Sequence, residues 1–156
     1  MAPQVDGSRL GSSALTLEQL PDWAERLLAD SRAGHLAYLD EHDLPRVLPV
    51  TFAVAGSAVW TAIDDKPKRP GEPARVRYLR RRPEAALCVD RYDDDWSRLA
   101  WVQLLGRVEV LELGDGGEGL AALTERYAPY RRKSPPGPLL RLEVERALWW
   151  SAALDG

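Results

Sequence analysis

Over residues 66–82 the sequence KPKRPGEPARVRYLRRR sets eight basic residues against one acid, Glu72. Extended Lys and Arg side chains beside the backbone donors of a helix start suit a phosphate or carboxylate, Lys as a point charge and Arg as a two-pronged donor. The plain alternative is a solvated, charged surface loop. Pro67, Pro70 and Pro73 keep the first half extended, and a short helical turn is expected over 75–82. Upstream lies RVLPVTFAV (46–54), which as a strand puts Val47, Pro49, Thr51 and Ala53 on one face and Leu48, Val50, Phe52 and Val54 on the other. One face packs, and the other can lie flat against a planar ring, offering backbone donors and acceptors to its heteroatoms. An ordinary core strand fits the same pattern. Thr51 and Thr61 are its polar exceptions.

Other constellations are weaker. Tyr92-Asp93-Asp94-Asp95-Trp96-Ser97 offers three carboxylates, but neighbours on a strand point alternately apart and no second oxygen-rich segment accompanies them. An Asp-capped turn with Trp96 at an interface is expected there, and no metal site. GDGGEG (114–119) matches GxGxxG, but Asp115 and Glu118 would sit where a pyrophosphate must approach, and no βαβ unit surrounds it. A loop and helix N-cap are expected instead. The only histidines are His35 and His42, and no paired nucleophile and base is present, so no catalytic residue is assigned. Tyr92 and Tyr130 are the hydroxyls to consider as proton donors.

The elements that must position these residues are mainly strands. Residues 1–15, rich in Gly, Ser and Ala, have no hydrophobic period and are expected to form a loose tail before a single domain over 16–156. Thr16 and Gln19 have capping-box spacing, and Leu20, Trp23, Leu27 and Leu28 follow at helical intervals, predicting a helix to about Arg32 whose regular part starts at Pro21. Period-two runs over 35–39, 47–54 and 58–63 predict three strands in an antiparallel meander, with a hairpin at Ala55-Gly56-Ser57. Further strands are expected over 85–92, over 99–113 with Gly106 at a bulge, and from Leu140 to Trp150, with a helix carrying Leu120, Leu123 and Tyr127 between the last two. Six strands with short connections suggest a barrel rather than a doubly wound parallel sheet.

The 156 residues suit one domain, and 21 Lys+Arg against 24 Asp+Glu leave no overall basic excess for nucleic acid. Cys88 is the single cysteine, so an intrachain disulfide is impossible and a reducing cytoplasm fits. No apolar run is long enough to span a membrane and no export signal is evident.

Five stretches together resemble the pyridoxamine 5'-phosphate oxidase-like split β-barrel oxidoreductases, and within them a branch dependent on coenzyme F420, a deazaflavin. They are HLAYLD, VLPVTFAV, VWTAIDDKPKR, LRRRPEAALCVDRYDDDWSRLAWV and RYAPYRRKSPPGPLLRLEVERALWWSA, which span residues 33–152. The resemblance implies a mainly β fold, an FMN-binding-like Greek-key split barrel of about six antiparallel strands. It implies a homodimer with cofactor in clefts between subunits. Pro49, Val50, Thr51 and Phe52 would then lie along the ring, with Trp60 and Thr61 on the adjacent strand. Lys66, Lys68 and Arg69 would hold the phosphate, and Trp96 and Ser97 would reach the cofactor of the other subunit. The implied activity is hydride transfer between reduced F420 and a small unsaturated molecule. Alternatives are an FMN-dependent oxidoreductase of the same fold or a non-catalytic flavin or deazaflavin carrier. Residues 70–74 form a longer, more Pro-rich link than the resemblance leads one to expect, and Ala100 and Gln103 stand where bulkier or basic residues would be less surprising.

Overall fold

A computed structural model describes residues 16–63 and 71–154. Seven strands form one antiparallel sheet: β1 (Gly34–Leu39), β2 (Pro45–Val50), β3 (Ala53–Ala55), β4 (Ala58–Ala62), β5 (Glu84–Arg91), β6 (Ala100–Leu111) and β7 (Leu139–Ser151), in the order β2-β1-β5-β6-β7-β4-β3. Four helices flank it: α1 (Asp22–Asp30), α2 (Ala74–Arg81), α3 (Gly117–Arg126) and α4 (Ala128–Arg132). The mainly β expectation holds, with one strand more than the sequence pattern suggests. The tail expected over 1–15 lies outside the described residues.

The extra strand comes from the run 47–54, which is not continuous. Leu48, Val50 and Phe52 face inward, but Ala53 is buried as well and Val54 exposed, so the inside-outside alternation slips at Thr51-Phe52. The two halves become the opposite edges of the sheet, β2 and β3, joined by those two residues. A sheet whose edges are joined by two residues has curled round on itself, and that is how this barrel closes. The expected three-strand meander is therefore corrected: β1–β2 and β3–β4 are hairpins, while β2 and β3 do not pair. Gly56 supplies the left-handed turn of the second hairpin at φ 62°.

The first helix is also shorter than its capping signals imply. Gln19 Oε1 accepts from the Thr16 N–H at 2.9 Å, but this closes a separate 3₁₀ turn, Leu17–Gln19, and α1 starts after Pro21. Leu27 and Leu28 of α1 and Val76 and Leu79 of α2 join Leu36, Leu87, Val102, Leu104 and Leu140 in the main core. A second cluster lies on the other side of the sheet, where α3 lays Leu123 over Ala53, Ala58, Trp60, Ala62 and Leu139.

The β1–β2 turn carries a pH dependence. Asp40 accepts from the Leu44 N–H at 3.0 Å and the His42 N–H at 2.9 Å, and these bonds hold its carboxyl below the ordinary range. A carboxylate with a depressed folded-state pKa adds stability that is fully present above its unfolded pKa, about 3.9, and is lost as pH falls through the folded value. Asp40→Asn is expected to lose less stability than wild type between pH 7 and pH 3 in urea unfolding; equal losses would show that the turn makes no such contribution.

Candidate functional site

The two outer faces of the sheet differ. Over β3, β4 and the start of β7 at Leu139 the outer side is covered by α3, so closely that a Cβ on Gly119 would lie 2.1 Å from the Trp60 ring. Over the rest there is no such cover among the described residues. Register places Pro49, His35, Cys88, Gln103 and Leu148 in one outward row, and Val47, Ala37, Ala86, Leu105 and Arg146 in the next. A third row pairs Asp90, Trp101 and Trp150. All are exposed or half-exposed, Val47 at 67%. Apart from His35, Gln103 and the charges at its rim, Arg146 and Asp90, this open face is apolar. Burial raises the Cys88 thiol pKa, with Asp90 adding to the shift, so the group stays a neutral thiol on this face.

The sequence-derived site residues fall into three places. Pro49 is exposed on the open face, while Val50 points inward and is 9% exposed. Thr51 is half-buried at the corner, its Oγ1 2.8 Å from the Tyr130 hydroxyl. Phe52 is fully buried, and both of its backbone groups are engaged within the chain. Its N–H donates to the Tyr127 hydroxyl at 3.0 Å, and that hydroxyl donates to its carbonyl at 2.9 Å.

On β4 the two candidates point opposite ways. Trp60, 3% exposed, lies under α3 with the Arg141 guanidinium 5.7 Å from its ring centroid, and so not on the open face. Thr61 pairs with Leu140 and faces the main core; its Oγ1 is buried with no hydrogen-bond partner. A buried hydroxyl without a partner carries a desolvation cost and marks a place where a polar group is wanted.

Trp96 and Ser97 form the 3₁₀ turn Trp96–Arg98 after β5. As the sequence suggested, aspartates organise it. Asp95 Oδ1 accepts from the Ser97 N–H at 3.1 Å and Oγ at 2.7 Å, and these bonds lower its pKa. Asp93 pairs with Arg98 at 3.1 Å. With these carboxylates so engaged, no cluster of His, Cys, Asp and Glu able to hold a metal is present among the described residues. Trp96 and Tyr92 stay 58% and 69% exposed, two large rings with little of their own chain to cover them. GDGGEG is a turn and the start of α3, with Gly116 at the N-cap, as expected.

Lys66, Lys68 and Arg69 lie outside the described residues. The rest of their basic segment supplies a residue that the sequence reading did not single out. In α2, Arg77 donates to the Glu72 carbonyl at 2.9 Å and Arg80 to the Glu72 carboxylate at 2.8 Å. Arg81 and Arg82 pair with Asp43 at 3.6 and 2.6 Å. Arg75, in the first turn, has no such acceptor among the described residues, and its Nε is buried without a hydrogen-bond partner. Five arginines look alike in sequence; only the placement of the acids sets this one apart.

Residues 20–151 match the family model of pyridoxamine 5'-phosphate oxidase. The chain belongs to the pyridoxamine 5'-phosphate oxidase family. No curated protein sequence matches it. Solved structures share the fold of this oxidase-family chain at low identity. A conserved hypothetical protein from Mycobacterium tuberculosis is 17% identical with a TM-score of 0.70, over 95% of this chain and 93% of that one. A heme binding protein from Mycobacterium smegmatis is 23% identical with a TM-score of 0.66, over 84% and 55%. An FAD-binding protein from Mesorhizobium loti is 18% identical with a TM-score of 0.62, over 83% and 94%. The split barrel expected from the sequence is thus the fold of the family. No described helix is long and apolar enough to cross a membrane.

Proposed function

We propose that this protein is a cytoplasmic homodimeric oxidoreductase that binds coenzyme F420 and reduces a small unsaturated molecule, with no part in nucleic-acid binding. The observation that carries the reading is Arg75. It is a cation with a buried, unpartnered Nε six residues after Arg69, in a segment whose other described arginines are occupied by Glu72, Asp43 and a backbone carbonyl. Such a donor set fits the phosphate that F420 and FMN both carry.

When bound, the deazaflavin ring supplies the hydride chemistry, so the chain has to position and shield it. Pro49, on the outward side of β2, and Thr51, at the corner after it, would line the ring, and the open face supports the dimer. Five neighbouring strands expose an apolar surface there, with Trp101 opposite Trp150 at one end. Apolar faces of this extent mark interaction sites. A second copy would bring its Trp96 and Ser97 to the cofactor held by the first. An FMN-dependent enzyme, or a carrier without turnover, would use the same groups.

Titration of wild type and a Lys66→Ala, Lys68→Ala, Arg69→Ala triple variant with F420 and with FMN tests the reading. Wild type is expected to bind F420 more tightly, and the triple variant at least 100-fold more weakly, since each charge-assisted hydrogen bond contributes about 1.5–3 kcal/mol before non-additivity. Arg75→Ala should weaken binding in the same direction. Tight FMN binding with no F420 binding would make FMN the cofactor, and unchanged affinity in the triple variant would leave the basic segment a solvated loop. Hemin, tested because the similar Mycobacterium smegmatis protein is a heme binding protein, is expected to give no Soret shift.

A further inference from the structure

The corner where β2 passes into β3 is held from outside the sheet by two tyrosines with different tasks. Tyr127, 6% exposed, accepts from the Phe52 N–H and shares its one hydroxyl proton between the Phe52 carbonyl at 2.9 Å and the Arg32 carbonyl at 3.0 Å. It supplies the hydrogen bonds that the strand break removes, so it serves the fold. Tyr130 of α4 is half-buried, and its hydroxyl lies 2.8 Å from Thr51 Oγ1 at the corner. Its ring stands edge-on to Tyr127, centroids 5.8 Å apart at 71°.

With the Phe52 backbone occupied, Thr51 is the last residue of the 49–52 rail with a polar side chain. A threonine hydroxyl has one proton and two acceptor lone pairs, and it turns to suit its partner. The bond to Tyr130 fixes that rotor. We infer that Tyr130 is a positioning residue for the bound cofactor ring. It acts through Thr51 by setting the direction and donor character of its hydroxyl, and this rests on the cofactor reading above.

The experiment titrates wild type, Y130F, T51V, T51S and the Y130F/T51V double variant with F420 and FMN, recording the absorbance maximum of bound cofactor and the thermal midpoint of each protein. Y130F and T51V are each expected to weaken binding about tenfold, one hydrogen bond's worth, and the double variant no further. T51S should bind as wild type, and Y130F should shift the absorbance maximum while its midpoint stays close to wild type. Y127F, by contrast, should lower the midpoint. A Y130F protein with wild-type affinity and spectrum would overturn the inference, as would single effects that multiply in the double variant. A Y130F midpoint as low as that of Y127F would reduce Tyr130 to a structural role. Wild type that binds neither cofactor would remove the functional reading itself, a separate result.

Discussion

Gly106→Ala is expected to cost about 4 kcal/mol, among the largest losses a single substitution produces. A Cβ at this position would lie 1.8 Å from the Glu143 carbonyl oxygen and 2.9 Å from its carbon. Both atoms are backbone, in the paired strand β7, so no side chain can swing aside. The register between β6 and β7 shifts at Leu105/Gly106, so the clash falls at the bulge itself. Relief would require prising apart the two longest strands of the sheet. Gly117→Ala is the matched control. It has nothing within 4 Å and opens α3, where alanine is the better helix former by up to about 1 kcal/mol. Urea unfolding of both variants decides the matter, and a Gly106→Ala protein within 1 kcal/mol of wild type would mean that the bulge is more pliable than its geometry allows.

Ala86→Arg should turn the proposed dimer into a monomer, raising its dissociation constant about a thousandfold, equivalent to about 4 kcal/mol. Ala86 sits in the middle of the open face, opposite Ala37 on one side and Leu105 on the other. A guanidinium there would be trapped without a carboxylate in any apposed apolar surface, and burying an unpaired charge costs several kcal/mol. Its side chain points away from the core, so the fold should survive. Ala121→Arg, on the exposed side of α3, should leave the dimer intact. Sedimentation of the three proteins gives the answer; a monomeric wild type, or a dimeric Ala86→Arg protein, would remove the open face as the contact surface. The monomer should also lose cofactor affinity if the partner's turn completes the site.

Local features were legible in the sequence where a single residue type has one physical use. Gly56 at the hairpin and Gly106 at the bulge were both readable, because each stands where only glycine fits. The break at Thr51-Phe52 was not. Every residue from 47 to 54 suits a strand, and the interruption comes from Tyr127, 75 residues away, taking both Phe52 backbone groups. Sheet order was hidden for the same reason, since β4 pairs with β7 and β1 with β5 across long stretches of chain. Of the candidate site, the basic segment was visible as a charge run, but the special position of Arg75 depends on where Glu72 and Asp43 lie in space. Trp60 carries an aromatic ring suited to stacking, and nothing in its neighbours foretells that Gly119 brings α3 down upon it.

Pro45 and Pro49 bear on how copies of this chain can meet. Both lie on β2, an edge strand paired only with β1, in the same alternating phase as Val47. Prolines in a paired edge strand occupy positions whose amide side looks outward, and they have no hydrogen to give. Two of the three outward donors along this border are therefore missing, and a foreign strand laid beside it would find acceptors with few donors. The margin is thus guarded against ribbon-like growth into fibres.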